Sequence, residues 1–268
     1  MDNYETVTVE RVGSIAVVTL NRPKKRNAMN PQMHLDMTNV LDSIRYDNNI
    51  KVLVLTGAGS AFSAGMDLRE HFREYKDDPA AYERISRLGA EWRTRTLKHF
   101  PKVTLAMVNG HCIGGAFSTV EACDLAIAAD EAGFCLSEIN FHMFPGGPVS
   151  KSLANLLRPR DALFYGLTGR TFDGVEAARI GLVNYSVPGS ELKNHVMNLA
   201  SEIAEKDAAA LRATKEAYRF SLEMSWDAAM DYARTKVDQV TLQQHWLWKE
   251  EGIDEFLQKK GEPGSAHK

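Results

Sequence analysis

Two glycine-rich segments are among the parts of this sequence best suited to chemistry. They span residues 57–68 and 109–118, and each follows an apolar run typical of a buried strand. Small residues let a ligand approach the backbone closely, and the free N–H groups at the start of a helix favour negative charge. Such amides would stabilise a developing oxyanion. Each segment taken alone is also consistent with a tight strand-to-helix turn.

A glutamate, Glu138, stands between apolar side chains. Leu136, Ile139 and Phe141 surround it in the sequence, and apolar surroundings penalise the charge of a carboxylate. One interpretation places Glu138 in solvent on a turn. The other makes it a general acid/base whose pKa is raised by loss of hydration. The local sequence leaves both interpretations open.

Several familiar kinds of site are absent from the sequence. It has neither a Gly-x-Gly-x-x-Gly fingerprint nor a phosphate loop ending in Gly-Lys-Ser/Thr. Its eight histidines lack the spacing of a zinc site. Residues 61–65 differ from a nucleophile elbow, because Ala61 replaces the first glycine. The cysteines, Cys112, Cys123 and Cys135, lie in apolar segments and are expected to be small buried side chains.

Length, charge and hydropathy restrict the class of protein. The 268 residues fit one domain with a modest terminal extension. A net charge of −3 and a pI near 6.3 argue against nucleic-acid binding, which favours a basic excess. No apolar run approaches the roughly 20 residues that a membrane helix requires, and the acidic, polar N-terminus does not resemble a leader peptide. We therefore expect a cytoplasmic protein without membrane or nucleic-acid partners.

Strand and helix patterns alternate along most of the chain. Apolar and β-branched runs predict strands at 6–9, 15–20, 51–56, 103–108 and 124–128. Helices are expected from the Asn30-Pro31 pair, over about 79–98, and from Gly114. This alternation predicts an α/β architecture. From about residue 190 helical patterns dominate, including a helix capped by Ser225, so we expect an α/β core over 1–188 and a helical part over 189–268.

Taken in order, the segments resemble the crotonase (enoyl-CoA hydratase/isomerase) superfamily over nearly the whole chain. The matching segments are 20–23 with 27–28, 64–68, 110–115, 123–125, Glu138, 169–183, and 251–252 before Phe256. Each is a weak motif alone, whereas their order and spacing are specific. The resemblance implies a crotonase-like spiral of ββα turns with a helical C-terminal part. It also implies homotrimers, often paired into hexamers, with 189–268 serving trimerisation.

The resemblance implies how a coenzyme A thioester would be held. The backbone N–H groups of Met66 and Gly115 would bind the thioester oxygen, and loss of one such donor typically costs about 3–4 kcal/mol of barrier. Adenine is expected against the backbone of residues 63–64. The implied CoA-binding residues, with phosphate-binding cations among them, are Lys24, Arg26, Ser63, Ala64, Asp67, Leu68, Phe256 and Lys259. The lysines are also consistent with simple solvation. No separate cofactor or metal is implied, since coenzyme A belongs to the substrate.

Within the superfamily, the pattern is most similar to the hydroxycinnamoyl-CoA (feruloyl-CoA) hydratase-lyases. An ordinary hydratase uses two glutamates; the first falls on Ser118 here and the second on Glu138. The subgroup's chemistry would follow: water adds to the β-carbon with Glu138 as base, and a retro-aldol step gives an aromatic aldehyde and acetyl-CoA. For Ser118 two interpretations remain open, contact with substrate or water and packing within a helix.

The sequence departs from that subgroup in the expected acyl pocket. The subgroup holds the phenol hydroxyl with two tyrosines, whose positions fall on His71 and Arg234. Tyr232 is two residues from Arg234, which on a helix points to a different face. His142 opens a segment that replaces a more proline-rich stretch. One hypothesis is a preference for a carboxylate, which arginine binds bidentately; the alternative is that His71 and Arg234 are surface charges.

Two other functions remain open on the sequence. One is another enzyme of the same fold, such as a plain enoyl-CoA hydratase, dehydratase or isomerase. The other is a non-catalytic CoA- or RNA-binding scaffold, against which the intact Met66, Gly115 and Glu138 positions and the acidic pI count. The identity of the products separates lyase from hydratase, because only the lyase yields an aldehyde.

Overall fold

The computed structural model describes residues 4–257. The chain divides into two compact units, Met1–Glu205 and Lys206–Lys268. The first unit contains all the described strands, and the second is helical over its described residues. The predicted α/β architecture with a helical C-terminal part is therefore confirmed. The predicted boundary at residue 188 and the trimerisation role of 189–268 stay predictions.

The strands form two sheets. In chain order they are β1 (Val7–Val12), β2 (Ile15–Leu20), β3 (Val52–Gly57), β4 (Ala61–Ser63), β5 (Val103–Val108), β6 (His111–Ile113), β7 (Leu125–Ala129), β8 (Phe134–Cys135) and β9 (Tyr185–Val187). The larger sheet has the order β1-β2-β3-β5-β7-β9; β1 and β2 are antiparallel and the other neighbours are parallel. Strands β4, β6 and β8 form a smaller parallel sheet.

The helices lie between and after these strands. They are α1 (Pro31–Tyr46), α2 (Pro79–Glu91), α3 (Ala116–Ala122), α4 (Val149–Leu156), α5 (Pro159–Thr168), α6 (Gly174–Ile180), α7 (Gly189–Ala204), α8 (Ala208–Ser221), α9 (Trp226–Gln243) and α10 (Ile253–Leu257). Short 3₁₀ turns cover Pro23–Lys25 and Ser137–Phe141, and π-helical turns cover Leu68–Arg73, Trp92–Thr96 and Trp248–Gly252.

Helix starts follow the capping residues of the sequence. The Asn30 side chain accepts a hydrogen bond from the Met33 N–H at 2.9 Å, and Pro31 occupies the first helical position of α1. Ser225 caps α9 in the same way through the Ala228 N–H. Both predicted helix starts are confirmed.

The core of the first unit lies around the larger sheet. Every residue of β3 and β5 is buried, as expected of parallel strands covered on both faces. Helix α7 packs on the strands of this sheet, and the apolar stripe of α1 is buried from Met33 to Ile44. Strands β3 and β5 are thus buried within the unit, and each is followed within a few residues by a strand of the smaller sheet.

The second unit consists of helices that pack on one another. Helices α8 and α9 form its main contact. The rings of Phe220 and Tyr232 lie 5.6 Å apart, and Lys236 pairs with Glu216 across the two helices. Many of its large apolar side chains are exposed, among them Trp226 and Leu242.

The smaller sheet was not predicted from the sequence. Its strands have two or three residues each, too few for an alternating pattern to be visible. The helical turn after the first glycine-rich segment begins at Leu68, because Asp67 caps it through the N–H groups of Arg69 and Glu70. The Met66 amide consequently lies in extended backbone, outside the helix.

Candidate active site

The three candidate catalytic segments follow the carboxyl ends of the three strands of the smaller sheet. Ser63 pairs with Cys112, and Ile113 pairs with Cys135. Met66, Gly115 and Glu138 each lie two or three residues beyond these pairs. Because the strands are parallel, their carboxyl ends meet at one edge, where ligands of open α/β sheets commonly bind. The structure therefore brings together residues that are far apart in the sequence.

Two backbone amides at this edge are free to bind a ligand. Within residues 4–257, neither the Met66 N–H nor the Gly115 N–H donates a hydrogen bond. The neighbouring groups of the first loop are occupied: the Met29 N–H donates to Gly65 O at 2.7 Å, and the Asp67 N–H donates to Met29 O at 2.9 Å. These bonds fix the loop while leaving the Met66 amide unoccupied, as an oxyanion hole requires.

The two loops touch through glycine. Gly65 has φ +83°, and a Cβ atom added to it would lie 2.6 Å from Ile113 O and 3.3 Å from the Gly115 nitrogen. A Cβ on Gly115 would lie 3.4 Å from Met66 Cγ. Only a residue without a side chain allows this approach, so the glycines of the sequence set the spacing between the two amides.

The carboxylate of Glu138 lies against the second loop. A Cβ added to Gly114, which has φ +51°, would lie 2.4 Å from Glu138 Oε1. The other oxygen, Oε2, is buried without a hydrogen-bond partner among the described residues. Burial raises the pKa of Glu138 above its ordinary value, although a hydrogen bond from its own backbone N–H opposes the shift. Of the two interpretations of Glu138, the structure favours the tuned acid/base over the solvent-exposed turn.

A cavity of about 660 Å³ opens beside these groups. Its walls combine the two loops with residues of α2, the Ser137–Phe141 turn and the segment that follows it. The residues that line it include Ala64, Met66, Leu68, His71, Phe72, Tyr82, Ser86, Arg93, Gly115, Glu138, Phe141, His142 and Phe144. Aromatic rings thus face the cavity from two sides. Sequence reasoning missed Phe72, Tyr82, Phe141 and Phe144, which occupy loops and surface helices where no periodic pattern marks a binding wall.

His71 lies in the cavity wall, consistent with the position that the resemblance gives it, but it carries no charge at neutral pH. Its Nε2 lies 3.3 Å from Ser86 Oγ, and Nδ1 is buried without a partner among the described residues. Burial, followed by the positive charge of Arg93, lowers the pKa of His71 to about 4. In the hypothesis of a carboxylate preference, His71 can therefore contribute only a hydrogen bond, because a neutral imidazole carries no charge.

Ser118 does not reach the cavity. It is fully buried in α3, where Oγ donates to Gly115 O at 2.8 Å and accepts from Arg93 Nη1 at 3.0 Å. Of the two interpretations, the structure favours packing within the helix over contact with substrate or water. Ser118 is therefore corrected from a group that touches the reacting atoms to one that supports Gly115.

Asp67 is also occupied within the protein. Its carboxylate accepts hydrogen bonds from the N–H groups of Arg69 and Glu70 and pairs with Arg22 Nη1 at 3.0 Å. Burial would raise the pKa of Asp67, but the bonds from the Glu70 amide and from Arg22 outweigh it and lower that pKa. A side-chain contact of Asp67 with CoA is therefore replaced by a structural role, the anchoring of the first loop.

The remaining CoA candidates of the first unit lie on and around this loop. Lys24 and Arg26 are exposed, and Arg26 O accepts from the Ala64 N–H at 2.8 Å. Ser63 is buried and its Oγ donates to Asn27 O at 2.9 Å, so only its backbone is available. Ala64 and the exposed Leu68 line the cavity. Their contacts with CoA stay predictions.

The other predicted residues divide into three cases. His142 lines the cavity with φ +65°. Arg234 and Tyr232 lie on α9 of the second unit, where Arg234 is exposed and Tyr232 packs beside Phe220. Phe256 belongs to α10, but its side chain is outside the described part of the structure, and so is the whole of Lys259. Roles of these residues at the substrate stay predictions.

Other kinds of site were searched for in the described residues. No group of three or more His, Cys, Asp or Glu side chains among them is arranged to hold a metal ion. No helix of residues 4–257 has the length and apolarity to cross a membrane. Cys112, Cys123 and Cys135 are buried, as predicted.

A buried histidine beside the cavity predicts a loss of stability in mild acid. The Trp92 Nε1–H donates to His34 Nδ1 at 3.0 Å, and burial, Arg93 and His71 lower the pKa of His34 to about 2. Below pH 6.5 this histidine is protonated in the unfolded chain but stays neutral in the folded chain. Its contribution to the free energy of unfolding is therefore fully present above that pH and decreases as the pH falls. Between pH 6.5 and 5 this residue alone should remove about 2 kcal/mol of unfolding free energy.

Urea unfolding at both pH values measures this loss. His34→Gln, which can still accept the Trp92 N–H through its amide oxygen, should lose correspondingly less stability over the same interval. Equal losses in the two proteins would contradict the assignment to His34.

The comparisons with known proteins agree with the geometry. The family model described as enoyl-CoA hydratase/isomerase matches residues 10–263. A hydroxycinnamoyl-CoA hydratase-lyase of Pseudomonas fluorescens is 46% identical, covering 97% of this chain and 95% of that protein. A probable enoyl-CoA hydratase of Mycobacterium bovis is 32% identical, covering 99% of both. The crystal structure of an enoyl-CoA hydratase from Bacillus anthracis has a TM-score of 0.86 at 26% identity, covering 95% of this chain and 97% of that one.

Proposed function

The chain belongs to the enoyl-CoA hydratase/isomerase family, the crotonase superfamily, and from that premise we propose that it hydrates a 4-hydroxycinnamoyl-CoA-type (feruloyl-CoA) thioester and then cleaves the product. The products would be an aromatic aldehyde and acetyl-CoA. The observation that carries the proposal is the composition of the cavity: of the described residues that line it, only Glu138 has a carboxylate. One proton-carrying group beside a pair of free amides is sufficient for both steps.

Hydration would use Glu138 first as base and then as acid. Its carboxylate takes a proton from a water molecule while the water oxygen bonds to the β-carbon of the enoyl thioester. The π electrons move to the thioester oxygen, which the amides of Met66 and Gly115 receive as an enolate. The protonated Glu138 then gives the proton to Cα. The orphaned Oε2 is the oxygen suited to bind the water, because it has no other described partner.

Cleavage would again move electrons toward the thioester oxygen in the same site. Glu138 takes the proton of the β-hydroxyl, the Cβ–O bond becomes a carbonyl, and the Cα–Cβ bond breaks. Its electron pair forms the enolate of acetyl-CoA in the oxyanion hole, and a proton returned to Cα completes acetyl-CoA. Both steps develop charge on the same oxygen, so the same two donors assist each of them.

The aromatic wall supports an aryl acyl group. Phe72, Tyr82 and Phe144 line the cavity, with the Phe72 and Tyr82 rings 6.0 Å apart. Flat apolar walls favour an aromatic ring through burial and offset or edge-on contacts. The Tyr82 hydroxyl and the neutral His71 ring are polar groups in this wall that could meet a phenol hydroxyl. The 46% identical hydroxycinnamoyl-CoA hydratase-lyase supports the same substrate class.

The pH dependence of catalysis should report Glu138. Since the base must be ionised, kcat/KM is expected to fall as pH falls through the raised pKa of Glu138, at a higher pH than an ordinary glutamate would give. His71, with a pKa near 4, should add no ionisation between pH 5 and 8. A pH–rate profile of the wild type and of His71→Gln measures this. An acid limb that disappears in His71→Gln would contradict the assignment.

The proposal is tested by the products from three thioesters. Purified protein is incubated with 4-hydroxycinnamoyl-CoA, feruloyl-CoA and crotonyl-CoA, and products are identified by mass spectrometry. Aldehyde and acetyl-CoA from the aromatic substrates are expected. Hydration of crotonyl-CoA without cleavage of any aromatic substrate would contradict the proposal and favour a plain enoyl-CoA hydratase, the activity named for the Mycobacterium bovis relative. A trimer or hexamer stays a prediction.

A further inference from the structure

Arg93 is a buried cation without an anionic partner. Arg93 is 5% exposed. Within residues 4–257 no carboxylate lies within 4.0 Å of its guanidinium. Its hydrogen bonds go to neutral oxygens only: Nε donates to Gly89 O at 2.8 Å, and Nη1 donates to Gly115 O at 3.1 Å and to Ser118 Oγ at 3.0 Å. Buried charges are usually paired, so this one requires an explanation.

The residues around Arg93 do not balance its charge. His71 and His34 are the nearby titratable groups on which it acts, and both have their pKa values lowered well below neutrality. Both rings are therefore neutral, and the guanidinium keeps its full charge with a pKa of about 10. The groups that contact Arg93 therefore leave its positive charge unpaired, and Glu138 is the carboxylate that shares its cavity.

That charge lies beside the candidate oxyanion hole. Arg93 lines the cavity together with Met66 and Gly115. A Cβ atom on Gly115 would lie 3.4 Å from Arg93 Nη1 and 3.4 Å from Met66 Cγ. The guanidinium thus lies next to Gly115, whose N–H is one of the two amides that would receive the thioester oxygen.

We propose that Arg93 is a positioning and electrostatic residue of the oxyanion hole, which fixes Gly115 through its carbonyl and supplies the counter-charge for the thioester enolate. The charge acts only weakly on a neutral thioester and strongly on the enolate, so it favours the transition state over the bound substrate. The low dielectric of the site keeps the interaction effective over this distance. Ser118 supports the arrangement by holding both Arg93 and Gly115.

This inference rests on the proposed use of the oxyanion hole and does not require carbon–carbon cleavage. The probe is 4-methoxycinnamoyl-CoA bound to protein carrying Glu138→Gln, so that neither turnover nor phenol ionisation contributes to the spectrum. Polarisation of the thioester carbonyl withdraws electrons from the conjugated ring and shifts the absorption band to longer wavelength. The red shift on binding therefore measures the field at the thioester oxygen, whether or not the protein is a lyase.

Three variants separate charge from packing. Arg93→Gln keeps hydrogen-bond donors and removes the charge; Arg93→Lys keeps the charge and removes the guanidinium fork. Arg84→Gln is the matched control, since Arg84 is exposed on α2 and has no ion pair in the described part of the chain. We expect Arg93→Gln to lose most of the red shift, Arg93→Lys to keep most of it, and Arg84→Gln to match the parent protein.

Kinetics of the same substitutions in the active protein give a second readout. Arg93→Gln should lower kcat by about 30-fold, equivalent to about 2 kcal/mol, with little change in KM. A folded Arg93→Gln protein that keeps the red shift would overturn the proposal, and so would a folded Arg93→Lys protein that loses it. If Arg93→Gln does not fold, the red shift of Arg93→Lys alone decides between the two outcomes.

Discussion

Replacing Glu138 by glutamine is expected to lower kcat by about 10³-fold or more while leaving the binding of acyl-CoA nearly unchanged. Glutamine has the shape of the glutamate but can neither accept nor return a proton, and general acid–base groups contribute about 10²–10⁴-fold each. The upper part of this range applies because no second carboxylate among the described residues lines the cavity. Both hydration and cleavage should stop together.

Steady-state kinetics and a direct binding assay with the aromatic thioester measure these two effects separately. Glu10→Gln serves as the matched control, since Glu10 is exposed on β1, and its activity should equal that of the wild type. A Glu138→Gln protein that retains a tenth or more of wild-type kcat would contradict the role of Glu138 as the sole proton carrier.

Replacing Gly65 by alanine is expected to lower kcat/KM by about 10²-fold or more. The new Cβ would lie 2.6 Å from Ile113 O and 3.3 Å from the Gly115 nitrogen, so the two loops must separate. Separation moves the Met66 and Gly115 amides out of common reach of one oxygen, and loss of one oxyanion donor costs about 10²–10³-fold in kcat. Kinetics with the aromatic thioester and with crotonyl-CoA should show the loss for both, because each uses the same hole.

Gly13→Ala is the control for the backbone strain that an alanine causes at a positive φ. Gly13 also has a positive φ, +56°, but a Cβ there has no atom within 4 Å. This variant should lose about 1 kcal/mol of stability and keep its activity. Equal activity of Gly65→Ala and Gly13→Ala would mean that the spacing of the two loops does not control the oxyanion hole.

Much of the fold could be predicted from the sequence because its strongest patterns are local. The apolar runs that became β2, β3 and β5 are long enough to show a strand. The Asn30-Pro31 and Ser225 caps marked helix starts through bonds made within one turn. The three-residue strands β4 and β6, in contrast, exist only because their partners are present, and local sequence cannot specify them.

The candidate site could be predicted in its reacting groups but not in its environment. The loops around Met66 and Gly115 and the apolar neighbours of Glu138 marked the chemistry. The charge state of His71 could not be predicted, because it depends on burial and on Arg93, which come from other segments. Arg93 itself lies among several arginines on the same stretch. The π-helical turn at Trp92–Thr96 changes the helical phase and buries this one, and no periodic pattern predicts such a turn.

The most direct test of the central claim is the reaction of 4-hydroxycinnamoyl-CoA in D₂O, with the isotopic composition of the thioester product determined by mass spectrometry. Hydration followed by cleavage places one solvent deuteron on Cα during the addition of water and a second when the acetyl-CoA enolate is protonated. Acetyl-CoA with two deuterons in its methyl group, formed in equal amount with the aromatic aldehyde, is therefore the predicted result. A β-hydroxyacyl-CoA with a single deuteron on Cα, and no aldehyde, would contradict it.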